Sequence, residues 1–147
     1  MDDYAAQAEE RLRAAGYRMT RSRQQVIAAL AATDRALSPY ALIEHLRAGR
    51  PRTTPDVVTV YRVLDLLETL GLAHRVHTVP GWVACTWPET DGCHHHIICA
   101  ECGRIAEVGG EDLAADLHTA PAGWTVRGHV LEYSGTCPEC QVGGAGG

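Results

Sequence analysis

Along the first half of the chain, apolar residues recur at helical spacing, and the gaps between these stretches carry start and stop signals. Residues 4–15 (YAAQAEERLRAA) consist of helix formers and end at Gly16. Thr20 stands where it can cap a helix over 21–32, in which Val26, Ile27 and Leu30 share one face. Ser38-Pro39 opens a third helix, with serine as cap, proline in the first turn, and Leu42, Ile43 and Leu46 inward as far as Gly49. Thr54-Pro55 repeats that signal for a longer fourth helix ending near Leu70-Gly71. Its apolar stripe is Val57, Val60, Leu64 and Leu67, and Thr59, Arg62 and Asp65 form a separate row.

After Gly71 the period changes. Ala73–Thr78 and Trp82–Cys85, around a Val79-Pro80-Gly81 turn, predict a β-ribbon. Short helices followed by a hairpin predict a helix-turn-helix module with a β wing. The fourth helix, with Thr59, Tyr61 and Arg62 near its start, is then the recognition element. The polar stretch TWPETDG reads as a linker, and beyond it short strands are expected near 94–99, 104–108 and 124–133, with a helix near 111–119. The expected architecture is therefore α+β. A winged helix-turn-helix DNA-binding domain spans 1–85 and a hinge 86–92; a small α/β domain spans 93–142 and a disordered tail 143–147.

Composition adds two constraints. No apolar run approaches the roughly 20 residues that cross a bilayer, and the first 20 residues lack an apolar signal segment, so a cytoplasmic protein without membrane partners is expected. The net charge of −5 conceals an asymmetry: residues 1–62 hold ten Arg against seven Asp/Glu, whereas residues 63–147 hold three Arg against eleven. There is no Lys at all. A basic front half on an acidic back half fits a DNA-reading module joined to something else.

The chemistry is concentrated in cysteine and histidine. Cys99-x-x-Cys102 and Cys137-x-x-Cys140 each form a two-thiol grip, and together they complete a tetrahedral Cys₄ zinc site. Neither pair opens the helix of a βαβ unit, which argues against a redox role. Between them lies CHHHIICAEC. If 93–98 is extended, His94 and His96 share one face and Cys93 and His95 the other, so the run serves two ions. For the His94/His96 face the candidate partners are His74 and Cys85, a set whose thiolate favours zinc. For the His95 face they are His129 with Glu111 or Asp112; Glu107 fits either face. His45 and His118 read as solvated helix histidines, and His77 as a wing surface residue. A deaminase-type zinc enzyme needs His-x-Glu, which the chain lacks, and no small-molecule substrate is expected.

The segments LRAAGYRMTRSRQQVI, TVYRVLDLLETLGLAHRV, CHHHIICAECG and SGTCPEC resemble the ferric uptake regulator family and, within it, the zinc uptake regulators, over nearly the full length. The resemblance implies a homodimeric, metal-dependent repressor with a winged-helix domain, a hinge and a dimerisation domain. It assigns Cys99, Cys102, Cys137 and Cys140 to structural zinc. His74, Cys85, His94 and His96 go to a regulatory hinge site, in which some members use a Glu at the position of Glu107. His95 and His129 go to a further site, where Cys93 replaces a common His and Ala114 stands near the usual carboxylate, leaving Glu111 or Asp112 to serve. The implied cofactor is Zn²⁺, two or three per chain, and the implied partner is double-stranded operator DNA, contacted by Arg18, Thr59, Tyr61 and Arg62. An iron- or manganese-responsive regulator of the same family is the alternative, and a zinc-ribbon binding or buffering protein a more distant one.

Overall fold

The computed structural model describes residues 2–86, 95–108, 121–125 and 130–144. The chain divides into two compact units, Met1–Glu89 and Thr90–Gly147.

The first unit opens with α1 (Asp2–Ala14), which buries Tyr4, Ala8 and Leu12 at successive turns of one face. In α2 (Arg21–Ala31) the Thr20 hydroxyl accepts from the Arg23 N–H, and Val26, Ile27, Ala29 and Leu30 are buried. In α3 (Pro39–Ala48) the Ser38 hydroxyl accepts from the Ala41 N–H. α4 (Val57–Thr69) starts two residues later than Thr54-Pro55 suggests. The Asp56 carboxylate accepts from the Thr59 N–H at 2.7 Å, and this charged cap takes the place of threonine and proline. Val60, Val63, Leu64 and Leu67 enter the core that α1, α2 and α3 also fill.

α4 ends on Gly71 at φ +68, a left-handed conformation that glycine adopts without a Cβ clash. The Gly71 N–H bonds back to Glu68 and the Leu72 N–H to Leu67, which turns the chain directly into the hairpin. Here β1 (Ala73–Val76) pairs antiparallel with β2 (Gly81–Ala84), Ala73 opposite Ala84. The turn is 77–80, so Gly81 belongs to the strand and not to the turn. The cause is a distant contact. Leu37 and Trp82 exchange two backbone hydrogen bonds of 2.9 Å, and a Cβ on Gly81 would lie 2.8 Å from the Leu37 carbonyl carbon. Gly81→Ala is therefore expected to cost about 1–3 kcal/mol of stability through overpacking, read as a lower urea midpoint of the first unit. An unchanged midpoint would mean that the Leu37 backbone moves aside freely.

The second unit is built on a three-stranded sheet in the order β4-β3-β5. β3 (His95–Cys99) is central, antiparallel to β4 (Ile105–Val108) and parallel to β5 (Glu132–Gly135). A third strand was expected over 124–133, but Trp124, Thr125, Val130 and Leu131 are not strand, and pairing begins at Glu132. A short α5 (Pro138–Gly144) follows, and it takes in Gly143 and Gly144, which the sequence had assigned to the disordered tail. The helix expected near 111–119 and most of the proposed hinge lie outside the described residues. No helix among the described residues is long and apolar enough to cross a membrane.

Candidate metal centres and nucleic-acid face

Cys99 closes β3, Cys102 lies in the turn that follows, and Cys137 and Cys140 bracket the first turn of α5, where Pro138 takes the first helical position. The four sulfurs all lie within 4.8 Å of one another. A tetrahedron with zinc–sulfur bonds of about 2.3 Å has edges of about 3.8 Å, and Cys102 and Cys137 are 3.7 Å apart. The donor set fits zinc in number, element and spacing. The described cysteines form no disulfide.

Protons are shared unevenly in this cluster. Backbone N–H groups, that of Cys137 first and then that of Cys102, pull the Cys99 thiol down to about 6. Hydrogen bonds with the thiols of Cys137 and then Cys102, with burial, push Cys140 up to about 12. One sulfur is thus ready as thiolate at neutral pH, and another surrenders its proton only to a competing cation. Outside the cluster, Arg104 pairs with Glu139 at 2.6 Å and ties the first knuckle to the second.

Three residues above Cys99 on the same strand is His96. Its pairing partner on β4 is Glu107 and on β5 Glu132, so Glu107, His96 and Glu132 form one row across the sheet. The ligand atoms of His96 and Glu107 lie within 4.8 Å of each other. Glu107, which the sequence left unplaced, is thereby put on the His96 face. His95 faces the other way, opposite Val108, and both histidines are buried, at 3% and 4% exposure. Cys93, His94, Glu111, Asp112 and His129 lie outside the described residues. Glu132 was not singled out from sequence, because only the parallel pairing of β3 with β5 brings it beside His96.

In the first unit His74 and Cys85 share a face of the hairpin. His74 pairs with Val83, and the Cys85 N–H donates to the Leu72 carbonyl at 3.0 Å, extending the same ladder by one pair. Leu72, His74, Val83 and Cys85 therefore point one way, with His74 and Cys85 as diagonal neighbours. Cys85 is fully buried and His74 half-buried. The Leu72 carbonyl also accepts from the Tyr4 hydroxyl at 2.8 Å. Burial, and secondarily the charge of Cys85, hold that phenol well above its ordinary range. Tyr4 was another residue the sequence did not mark.

On the opposite hairpin face, Arg75 lies over the Trp82 ring at 4.6 Å and approaches Asp65 and Glu68 of α4 at 3.7 and 3.8 Å. The Trp82 indole N–H donates to Glu68. Tyr61 meets Trp82 edge-on, with centroids 6.0 Å apart, yet remains 41% exposed. The wing is thus bracketed to the helix that carries Tyr61 and Arg62. Arg62 is exposed and Thr59 half-buried. Arg18 is exposed just after α1, and its carbonyl accepts from the Arg23 guanidinium, which in turn lies over Tyr17.

These features recur in known proteins. The model of the ferric uptake regulator family matches residues 14–134. The chain is 33% identical over 138 residues to the zinc uptake regulation protein of Escherichia coli strain K12, covering 92% of this chain and 80% of that one. It is 32% identical over 134 residues to the zinc uptake regulation protein of Mycobacterium tuberculosis, covering 87% and 98%. A solved zinc uptake regulator complexed with zinc and DNA superposes with a TM-score of 0.84 at 31% identity, over 98% of this chain and 97% of that chain.

Proposed function

The chain belongs to the ferric uptake regulator family, and from that membership we propose that it is a zinc-responsive repressor of zinc uptake and homeostasis genes. Members of this family are metal-responsive DNA-binding regulators and not enzymes. Zinc acts here as corepressor, in the cytoplasm, by holding a homodimer on a near-palindromic operator. Cys99, Cys102, Cys137 and Cys140 keep one zinc permanently. His74, Cys85, His94 and His96 take the exchangeable zinc, with Glu107 able to stand in for one of them. Cys93, His95 and His129 with Glu111 or Asp112 form a third site, so that each chain carries two or three zinc ions.

The observation that carries the zinc assignment is Cys85, a buried sulfur on the same ribbon face as His74. A thiolate among imidazoles selects zinc over metals that prefer oxygen donors. The carboxylates of Glu107 and Glu132 in the row beside His96 are the features among the described residues that favour iron or manganese. The test is operator affinity titrated against buffered free zinc, with ferrous iron and manganese in parallel arms. Tightening with zinc at far lower free concentration than with the others supports the reading, and equal tightening with iron overturns it.

On the DNA, the recognition helices of the two protomers enter major grooves about one helical turn, roughly 34 Å, apart. Arg62 reaches a base edge, Tyr61 a thymine methyl, and Thr59 and Arg18 flank them. Arg62→Ala is expected to weaken operator binding by about 1–3 kcal/mol and relax discrimination at one position. Zinc content should stay the same. Competition assays on single-position operator variants check this, and a uniform loss across all variants would make Arg62 a phosphate contact instead.

A further inference from the structure

The Leu72 carbonyl is the meeting point of two elements far apart in sequence. It receives the Cys85 N–H from the hairpin and the Tyr4 hydroxyl from the first turn of α1, and all three residues are buried. Cys85 is thus joined through one backbone oxygen to a side chain 81 positions earlier. At its other end α1 is tied by local backbone bonds to the segment carrying Arg18. The Gly16 N–H donates to Arg13 and the Tyr17 N–H to Leu12, with Leu12 itself buried. A 13-residue helix is a rod of about 20 Å, and this one connects the Cys85 backbone to the start of the basic segment before α2.

We infer that Tyr4 is the positioning residue through which metal at Cys85 is felt by α1, and that α1 carries this state to the Arg18 segment. The inference rests on Cys85 being a ligand. Zinc demands the thiolate, and a buried sulfur can meet the ion only with its backbone held in one place. Tyr4 fixes the carbonyl against which that backbone is registered. By reciprocity, whatever α1 contributes to zinc affinity, zinc returns as docking of α1. The hydroxyl is the coupling group, because the ring alone would pack equally well as phenylalanine.

The experiment is amide hydrogen exchange across α1 in the full-length protein, with the Cys₄ site filled, before and after one further equivalent of zinc. In the wild type the added zinc should slow exchange in α1 about tenfold, and in Tyr4→Phe that slowing should vanish while zinc affinity at this site falls about tenfold, the low end for lost outer-shell partners. If zinc leaves wild-type α1 exchange unchanged, or if Tyr4→Phe retains both the slowing and the affinity, the coupling is overturned. Should Tyr4→Phe fold poorly, the wild-type comparison still decides. Cys85→Ser separates the two levels: retention of the second zinc there refutes the ligand reading itself, whereas its loss alongside a wild-type-like Tyr4→Phe refutes only the coupling.

Discussion

Cys85→Ser should yield a protein whose operator affinity no longer responds to zinc, although it still carries the Cys₄ zinc. Serine is nearly isosteric, so the hairpin register of Leu72 and Cys85 survives, because it depends on the backbone bond between them. What changes is the donor. A hydroxyl is not deprotonated at neutral pH and offers a hard, weak ligand where the site had a thiolate. Losing even an outer-shell partner costs 10–100-fold in metal affinity, and a direct ligand costs more. Driving a two-state regulator from 1:99 to 99:1 requires about 5.5 kcal/mol of differential binding, so a loss of this size removes most of the response. The measurement is fluorescence anisotropy of operator DNA at buffered zinc, with zinc per chain counted alongside. A variant that still tightens on DNA at wild-type zinc concentrations would remove Cys85 from the switch.

The second large effect concerns the Cys₄ cluster. Cys102→Ser or Cys137→Ser should unfold the second unit while the first keeps its own transition. The physical reason is the distribution of apolar burial. Every member of the main hydrophobic cluster among the described residues lies between Tyr4 and Ala84. In the second unit the buried described residues are His95, His96, Ile98, Cys99 and Ile105. A unit of about 60 residues is marginal on burial alone, and structural zinc sites supply roughly 10–16 kcal/mol. Circular dichroism and hydrogen exchange resolved by unit would report the loss, and dimerisation would go with it. The same site should load less well as pH falls through about 6, where Cys99 regains its proton. Its ordinary value is higher, so the thiolate is present above 6 and lost below. Intact exchange protection over β3 in a Cys102→Ser chain would show that the sheet stands without the metal.

The helices were legible because their information is local. Thr20 and Ser38 cap where the sequence indicates, and Val26, Ile27 and Leu30 of α2 and Leu42 and Ile43 of α3 are buried as their spacing predicts. The Cys₄ set was legible from the two C-x-x-C spacings and the chemistry of thiols. One error was itself local: Thr54-Pro55 gives a valid start signal, yet Asp56 outcompetes it with a charged acceptor two residues on. The others came where distant segments decide. Gly81 reads as a turn residue until Leu37 is seen pressed against it. Glu132 gains its place beside His96 only through a parallel pairing, and Tyr4 reaches Leu72 across 68 positions. No periodicity encodes either contact.

β3 carries His96 and Cys99 on one five-residue strand, and this has a kinetic consequence. If His96 takes the exchangeable zinc proposed above, the strand that presents it is also the one whose end the Cys₄ cluster holds, and filling would be ordered in time: the tight site would be occupied before the sensor had a shape to sense with. A chain synthesised during severe zinc starvation would then stay blind when zinc returns until its Cys₄ cluster is filled, whereas chains made earlier would respond at once. The regulator's behaviour would depend on the age of the population as well as on the zinc of the moment.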